Sequence, residues 1–540
     1  MSNSQKKYIL AIDHGTGGPK SAIVSTEGEV IEWAFEETPL YTFKGGAVEQ
    51  DPNDWWNAIK NTTKRVIDKS GIQVENIVGI SNTSQWSGTV AVDKDGNHLM
   101  NSIIWMDTRG AKYIEEFNKG LLKVSGYNVR KILTLLKRAS GGPTLPGKDP
   151  IAHILVIKNE FPEIYDKTFM FLEPQDFVNM KLTGNFAASF ASITLHWVTD
   201  TRDPYNIHFS KKLLKMFKVT RNKFPPELKY STDILGPIKK ELADELGLEK
   251  TTKVVMGAPD IHSATIGSGA VGNYEGHIYI GTSDWIFLHI PNKGVDIAHN
   301  LGTLPSAIPG RYLTGNEQEI AGGALSFLRD KILYHKDELL KEEAVPDVYK
   351  IFDRIVEKVP AGANNLIFTP WLIGERSPID DPDIRGGLYN ISIEMSREHI
   401  IRAIFEGIAY NVRWLLTTIE NFIRKWVVKE RGIPKDSVIM PELNIIGGGA
   451  QSDIWCQIFA DILNRKIKQV ADPIQANARG AAYIASVGLG YLEWDEIQRC
   501  CEISNIFTPN PENRQIYDKL FKEYLNIYKI MGKTYRRLNR

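Results

Sequence analysis

The chain has 540 residues, 42% of them hydrophobic, and its 65 Lys+Arg are balanced by 65 Asp+Glu. That balance leaves no basic footprint for nucleic acid, so any anionic partner must be met locally. Cys456, Cys500 and Cys501 make neither a disulfide framework nor a metal-ligand spacing, as expected in a reducing cytoplasm. Met1 to Lys7 is polar, the first apolar run breaks at Asp13, and no stretch of about 18 apolar residues follows, so neither a signal peptide nor a membrane anchor is expected.

The run Tyr8-Ile9-Leu10-Ala11-Ile12 is too short for a helix and reads as a buried strand ending in Asp13. The Gly15-Thr16-Gly17 turn returns the chain as a hairpin. Glycines let backbone N–H groups approach oxygens and Thr16 offers a hydroxyl, so the turn is either a polyanion loop or an ordinary hairpin. Asp13, at the strand end, can hold water on a metal ion. After the Glu27-Gly28 turn, a third strand covers Glu29 to Phe35. Asp51 as N-cap, Pro52 at the first helical position and Gly71 at the end predict a helix, with Trp55, Ile59, Thr62 and Val66 on one face. Glu49-Gln50 just before it is a ligand-facing pair or loop packing.

The strand Ile77 to Ile80 runs into Thr83-Ser84-Gln85-Trp86-Ser87-Gly88, and a strand Ile103 to Arg109 carries Trp105 and Asp107. An aromatic face beside amide, hydroxyl and carboxylate groups suits a sugar, although either Trp can equally be core. Residues 111–235 read as helices and loops without evident chemistry, and His153 and His196 as structural. Val254 to Gly257 leads to Asp260 at a turn, either a proton acceptor for an attacking hydroxyl or a helix N-cap.

The glycine-rich stretch 267–276 reads as a hinge, after which Gly276 to Leu288 repeats the opening pattern, with Gly281-Thr282 at its turn. Ala321-Gly322-Gly323 opens a helix, and a longer one spans Ile400 to Leu416. Gly447-Gly448-Gly449 before the helix at Asp453 permits close approach by a flat base or a phosphate. It is neither a Walker loop nor a dinucleotide fingerprint. Arg479 to Ala485 is a small-residue helix, and Lys533-Thr534-Tyr535-Arg536-Arg537 ends the tail as a solvated face.

From Tyr8 to about Gly490 these stretches resemble, in order, the FGGY carbohydrate kinases of the actin-like ATPase superfamily. Asp13-His14-Gly15-Thr16 is similar to the first phosphate motif, Gly281-Thr282 to the second, and Gly448-Gly449-Ala450 with Asp453 to the adenosine motif. Gly322-Gly323 match glycines lining the nucleotide site, and Phe368 to Pro378, which includes Gly374-Glu375-Arg376, a family signature stretch. The resemblance implies an α/β fold of two ribonuclease-H-like lobes with a catalytic cleft between them, divided as 1–268 and 269–540. It also implies ATP and Mg²⁺ as cofactors, with Asp260 as catalytic base, Asp13 toward the metal, and Thr16, Gly17 and Lys20 toward phosphate.

Gln85, Trp86, Ser87, Trp105 and Asp107 resemble the sugar-side residues of xylulose kinases. Trp86, Ser87 and Met106 stand where those have Met, His and Asn, and Gly17-Gly18-Pro19 replaces hydroxyl residues of the phosphate loop. The expected reaction is phosphorylation of a pentulose such as xylulose, another ketose or a polyol. The expected partners are a small sugar or polyol and a second copy of the chain in a homodimer, with no nucleic acid and no membrane. A degenerate ATP-binding relative without catalysis is the alternative.

Overall fold

The computed structural model describes residues 6–334 and 348–539; the first five residues of the polar leader lie outside them. The opening run forms strand β1 (Tyr8–Gly15), followed by β2 (Gly18–Ser25) and β3 (Val30–Phe35). The two-residue turn Thr16-Gly17 closes a hairpin whose last paired residues are Gly15 and Gly18. Gly18 has φ 141°, and a Cβ there would lie 2.0 Å from the Glu36 carbonyl oxygen, so only glycine fits. Because side chains alternate along a strand, Ile9 and Ala11 enter one core while Leu10 and Ile12 enter another on the opposite face. Burial on both faces is what an unbroken apolar run specifies, and each buried Ile or Leu contributes about 2 kcal/mol.

Helix α1 (Pro52–Ser70) starts and stops as its caps predict: Asp51 accepts the Asn53 N–H, and Gly71 takes a left-handed φ of 65°. Strand β4 (Ile77–Ser84) runs parallel to β1. Residues 111–235 form a helical insertion with its own core around Phe117, Ile157, Phe171 and Phe224. The chain then returns through β5 (Ile234–Pro237) and β6 (Lys253–Val255) to helix α2 (Asp260–Gly267). The first sheet has the order β5-β6-β4-β1-β2-β3. The expected strand Ile103 to Arg109 is shorter: pairing ends at Ile103, and the Asp107 N–H turns back to the Ile104 carbonyl.

The second half repeats this plan. Hairpin strands β7 (Gly276–Ile280) and β8 (Asp284–Ile290) are followed by β9 (Tyr312–Gln318) and the short helix α3 (Gly322–Phe327). Helix α4 (Arg397–Arg431) is twice the length expected, because Ser396 and His399 cap one end, Gly432 stops the other, and apolar residues recur throughout. Strand β10 (Glu442–Ile446), helix α5 (Asp453–Leu463), β11 (Lys466–Val470), helix α6 (Ala476–Gly488), β12 (Ile503–Phe507) and helix α7 (Arg514–Asn539) complete it. The sheet order β9-β8-β7-β10-β11-β12 mirrors the first sheet, with strands Leu301–Pro305 and Val295–Asp296 beyond β9. The tail is not a solvated face throughout: Tyr517, Tyr524 and Tyr535 are buried, Tyr535 hydrogen-bonds Tyr389, and Arg536 reaches Asp381.

Helix α6 returns from the second half to lie on α2 and against β1 and β4. The crossing is as close as backbones allow: a Cβ on Gly480 would lie 1.9 Å from the Ser263 carbonyl oxygen, and one on Gly267 1.8 Å from that of Ala476. This contact fixes where α2, and with it Asp260, stands relative to the cleft.

Candidate active site

Strands of both hairpins meet at one cavity, Asp13 and Lys20 from the first and Tyr279 from the second. Asp13 at the end of β1 faces a cavity of about 240 Å³ lined by Asp13, Lys20, Tyr279, Gly448, Pro473 and Asn477. Its oxygens have only long contacts, 3.5 Å from Lys20 Nζ and 3.4 Å from Asn477 Nδ2, so the carboxylate can turn to a hydrated cation. The Lys20 ammonium also donates to the Ile474 carbonyl at 3.1 Å, bridging the halves.

The triple glycine divides its work. Cβ atoms on Gly447 and Gly449 would strike Ile280 at 2.6 and 2.4 Å, so these two let the loop close on β7. A Cβ on Gly448 would meet nothing within 4 Å and would project into open space, which is the room a nucleotide needs. Asp453, exposed at the start of α5, accepts from Gln469 Nε2 at 2.9 Å. The amides of Gly322 and Gly323 donate to the Gly281 and Thr282 carbonyls at 2.9 and 3.0 Å, so this pair docks α3 onto the second turn. Thr282 itself is exposed at the tip.

Asp260 opens α2, partly buried, and its Oδ1 accepts the Ile261 N–H at 2.8 Å. Burial, with the charges of Glu317 and Asp13, pushes its carboxyl up to about 8 against that hydrogen bond. Glu317, near the end of β9, and Glu319, just past it, are both held by Arg376, Glu319 at 3.0 Å.

On the acceptor side, Thr16 ties the phosphate turn to the sugar-side strand ends. Its hydroxyl donates to Gln85 Oε1 at 3.2 Å and accepts from Trp105 Nε1 at 2.9 Å, and its carbonyl accepts from Gln50 Nε2 at 2.9 Å. Gln85 Nε2 closes the network on Gln50 Oε1 at 2.8 Å, so Gln50 is packing. The Trp86 indole donates to the Ser192 carbonyl at 3.1 Å with its ring 5.2 Å from that of His262. Ser87 has φ 67°, a strained left-handed conformation, and its hydroxyl donates to the Lys148 carbonyl at 2.8 Å.

Asp107 is fully buried, and its oxygens take the N–H groups of Val48 and Arg109 and the Arg109 guanidinium, so it holds the strand ends together. Sequence reasoning passed over Glu173, whose buried Oε2 accepts the Gly88 N–H at 3.0 Å beneath the acceptor loop. It also gave Glu317, Glu319 and Lys148 no role. His153 and His196 are buried, and no cluster of three or more His, Cys, Asp or Glu able to hold a metal occurs among the described residues.

The profile of the FGGY family of carbohydrate kinases, N-terminal domain, matches residues 8–267, and that of the C-terminal domain matches residues 276–489. The chain belongs to the FGGY family of carbohydrate kinases. It is 29% identical over 535 residues to the xylulose kinase of Bacillus subtilis (strain 168), covering 97% of each protein. Among solved structures it superposes on gluconate kinase from Lactobacillus acidophilus with a TM-score of 0.83 at 24% identity, covering 99% of this chain and all of that one. Ligand-bound xylulose kinase from the same organism gives 0.82 at 24% identity, covering 98% and 100%. At these identities the structures speak for the fold. As an FGGY kinase, the chain transfers a phosphoryl group from ATP to an alcohol group of a sugar or polyol. No helix among its described residues is long and apolar enough to cross a membrane.

Proposed function

We propose that the acceptor is a pentulose such as xylulose and that Asp260 is the general base. The similarity to xylulose kinases over nearly the whole chain supports the pentulose. The observation that carries the base is the position of Asp260 at the first residue of α2, in the field of Asp13 from the phosphate hairpin and of Glu317 from the opposite half.

As the acceptor oxygen attacks the γ-phosphorus, a new O–P bond forms, the bond to the ADP oxygen breaks, and the hydroxyl proton passes to the Asp260 carboxylate. Asp13 holds the hydrated Mg²⁺, which neutralises phosphate charge when bound. Lys20 steadies phosphate oxygens, Gly17 and Thr282 sit where phosphate approaches, and Gly448 makes room for the nucleoside. Little covalent chemistry falls to the protein, and positioning and charge neutralisation carry the rate. The catalytic unit divides near residue 268, each half supplying one phosphate hairpin.

ADP release with Mg-ATP, measured across pentuloses, hexuloses, polyols and glycerol against a sugar-free blank, tests this reading. A pentulose is expected to give the highest kcat/KM. A different acceptor far above all pentuloses refutes the substrate, and no acceptor above the blank refutes catalysis.

A further inference from the structure

Tyr279 stands where the second hairpin meets the nucleotide cavity. Its neighbours Ile278 and Ile280 turn into the core of the second half, so the Tyr279 side chain leaves the opposite face of β7, where it lines the cavity with Asp13, Lys20 and Gly448. Its cross-strand partner is Trp285, and the two rings stack with centroids 3.7 Å apart and planes 5° from parallel. A Cβ on Gly281 would lie 2.5 Å from Tyr279 Cε1 and 2.7 Å from its hydroxyl oxygen. Gly281 does not take a left-handed conformation, so what this glycine supplies is room for the phenol. Trp285 fixes the plane of the ring, and its hydroxyl lies at the second phosphate turn.

That hydroxyl makes no hydrogen bond with any described residue, and Tyr279 is only partly buried. At neutral pH a phenol keeps its proton and can donate it to an acceptor. The first phosphate turn has one hydroxyl residue, Thr16, and its O–H is spent on Gln85 Oε1 at 3.2 Å while its oxygen accepts from Trp105. The first hairpin therefore brings a cation, Lys20, to the cavity, and the second brings a neutral O–H. Ionised phosphate oxygens only accept, and hydrogen bonds to charged acceptors are the strong ones.

We propose that the Tyr279 hydroxyl donates a hydrogen bond to a phosphate oxygen of the bound nucleotide, as the phosphate-binding side chain of the second hairpin. This rests on the reading of the cavity as the phosphate site, and neither on the acceptor nor on the base. A hydrogen bond to a charged group is strong enough that its loss weakens binding about tenfold or more.

The test titrates wild type, Tyr279→Phe and Lys20→Met with ATP and with adenosine, in Mg²⁺ and without acceptor. Phenylalanine keeps the ring and its stack on Trp285, so only the O–H is lost. Tyr279→Phe is expected to weaken ATP about tenfold, and at least threefold more than adenosine; the comparison cancels any general loosening of the fold. A loss for ATP less than threefold beyond that for adenosine overturns the inference, and the phenol then only packs. Should Lys20→Met still weaken ATP relative to adenosine in that case, the phosphate site itself stands. Should neither variant do so, the reading of the cavity falls with the inference.

Discussion

The Trp105 indole Nε1 donates to the Thr16 hydroxyl at 2.9 Å, so a residue of the acceptor side holds the turn of the first phosphate hairpin. The Thr16 hydroxyl in turn donates to Gln85 Oε1 at 3.2 Å. Removing either partner should loosen the same turn. Trp105→Phe and Thr16→Val are each expected to lower kcat/KM about tenfold, and the double variant to be little worse than the poorer single one. A double-mutant cycle on kcat/KM checks this; additive losses would mean the two act independently.

The charge state of Asp260 sets the pH dependence. A base must be ionised to accept a proton, and here burial has raised the carboxyl to about 8, so below that pH the free protein holds it neutral. The acidic limb of log kcat/KM should therefore fall with unit slope below about pH 8. Glu317→Gln removes one of the charges that raise Asp260 and should move the limb to lower pH. A limb that stays in place in that variant would contradict the assignment.

Lys20 spans the cleft from Asp13 to the Ile474 carbonyl. Lys20→Met is expected to raise KM for ATP about tenfold through loss of a charge-assisted contact, with KM for the acceptor little changed. Initial-rate kinetics with each substrate varied separate the two.

The crossing of α2 and α6 leaves no space for a methyl group at Gly480. Gly480→Ala must push the helices apart, at a cost of about 1–3 kcal/mol. Because Asp260 begins α2, kcat should fall together with the melting temperature. Thermal unfolding alongside turnover reads both, and a normal kcat in a clearly destabilised variant would show that the crossing does not set the position of Asp260.

Much of this was legible beforehand where local rules and tertiary structure agree. The Tyr8–Gly15 and Gly276–Ile280 strands, their turns and the caps of the Pro52–Ser70 helix follow from apolar run length and turn chemistry. The glycine loop before Asp453 was legible in the same way. What could not be read is which polar group finds which partner. Asp107 has the right chemistry for a sugar, but Arg109, two residues on, and the Val48 amide, far away in sequence, claim it first. The reach of Arg397–Arg431 and the burial of Tyr535 depend on surfaces supplied by other elements. Lys148 carries no signal in its own stretch; only the fold brings it beside Ser87.

The claim that Asp260 is the base is tested most directly by turnover of Asp260→Asn with the best acceptor, with nucleotide affinity measured in parallel. The side chain keeps its size and its place at the start of the helix but can no longer take the proton. Turnover lower by two or more orders of magnitude, about 10²–10⁴-fold, with ATP binding unchanged is the predicted result. Turnover within about tenfold of wild type would contradict it.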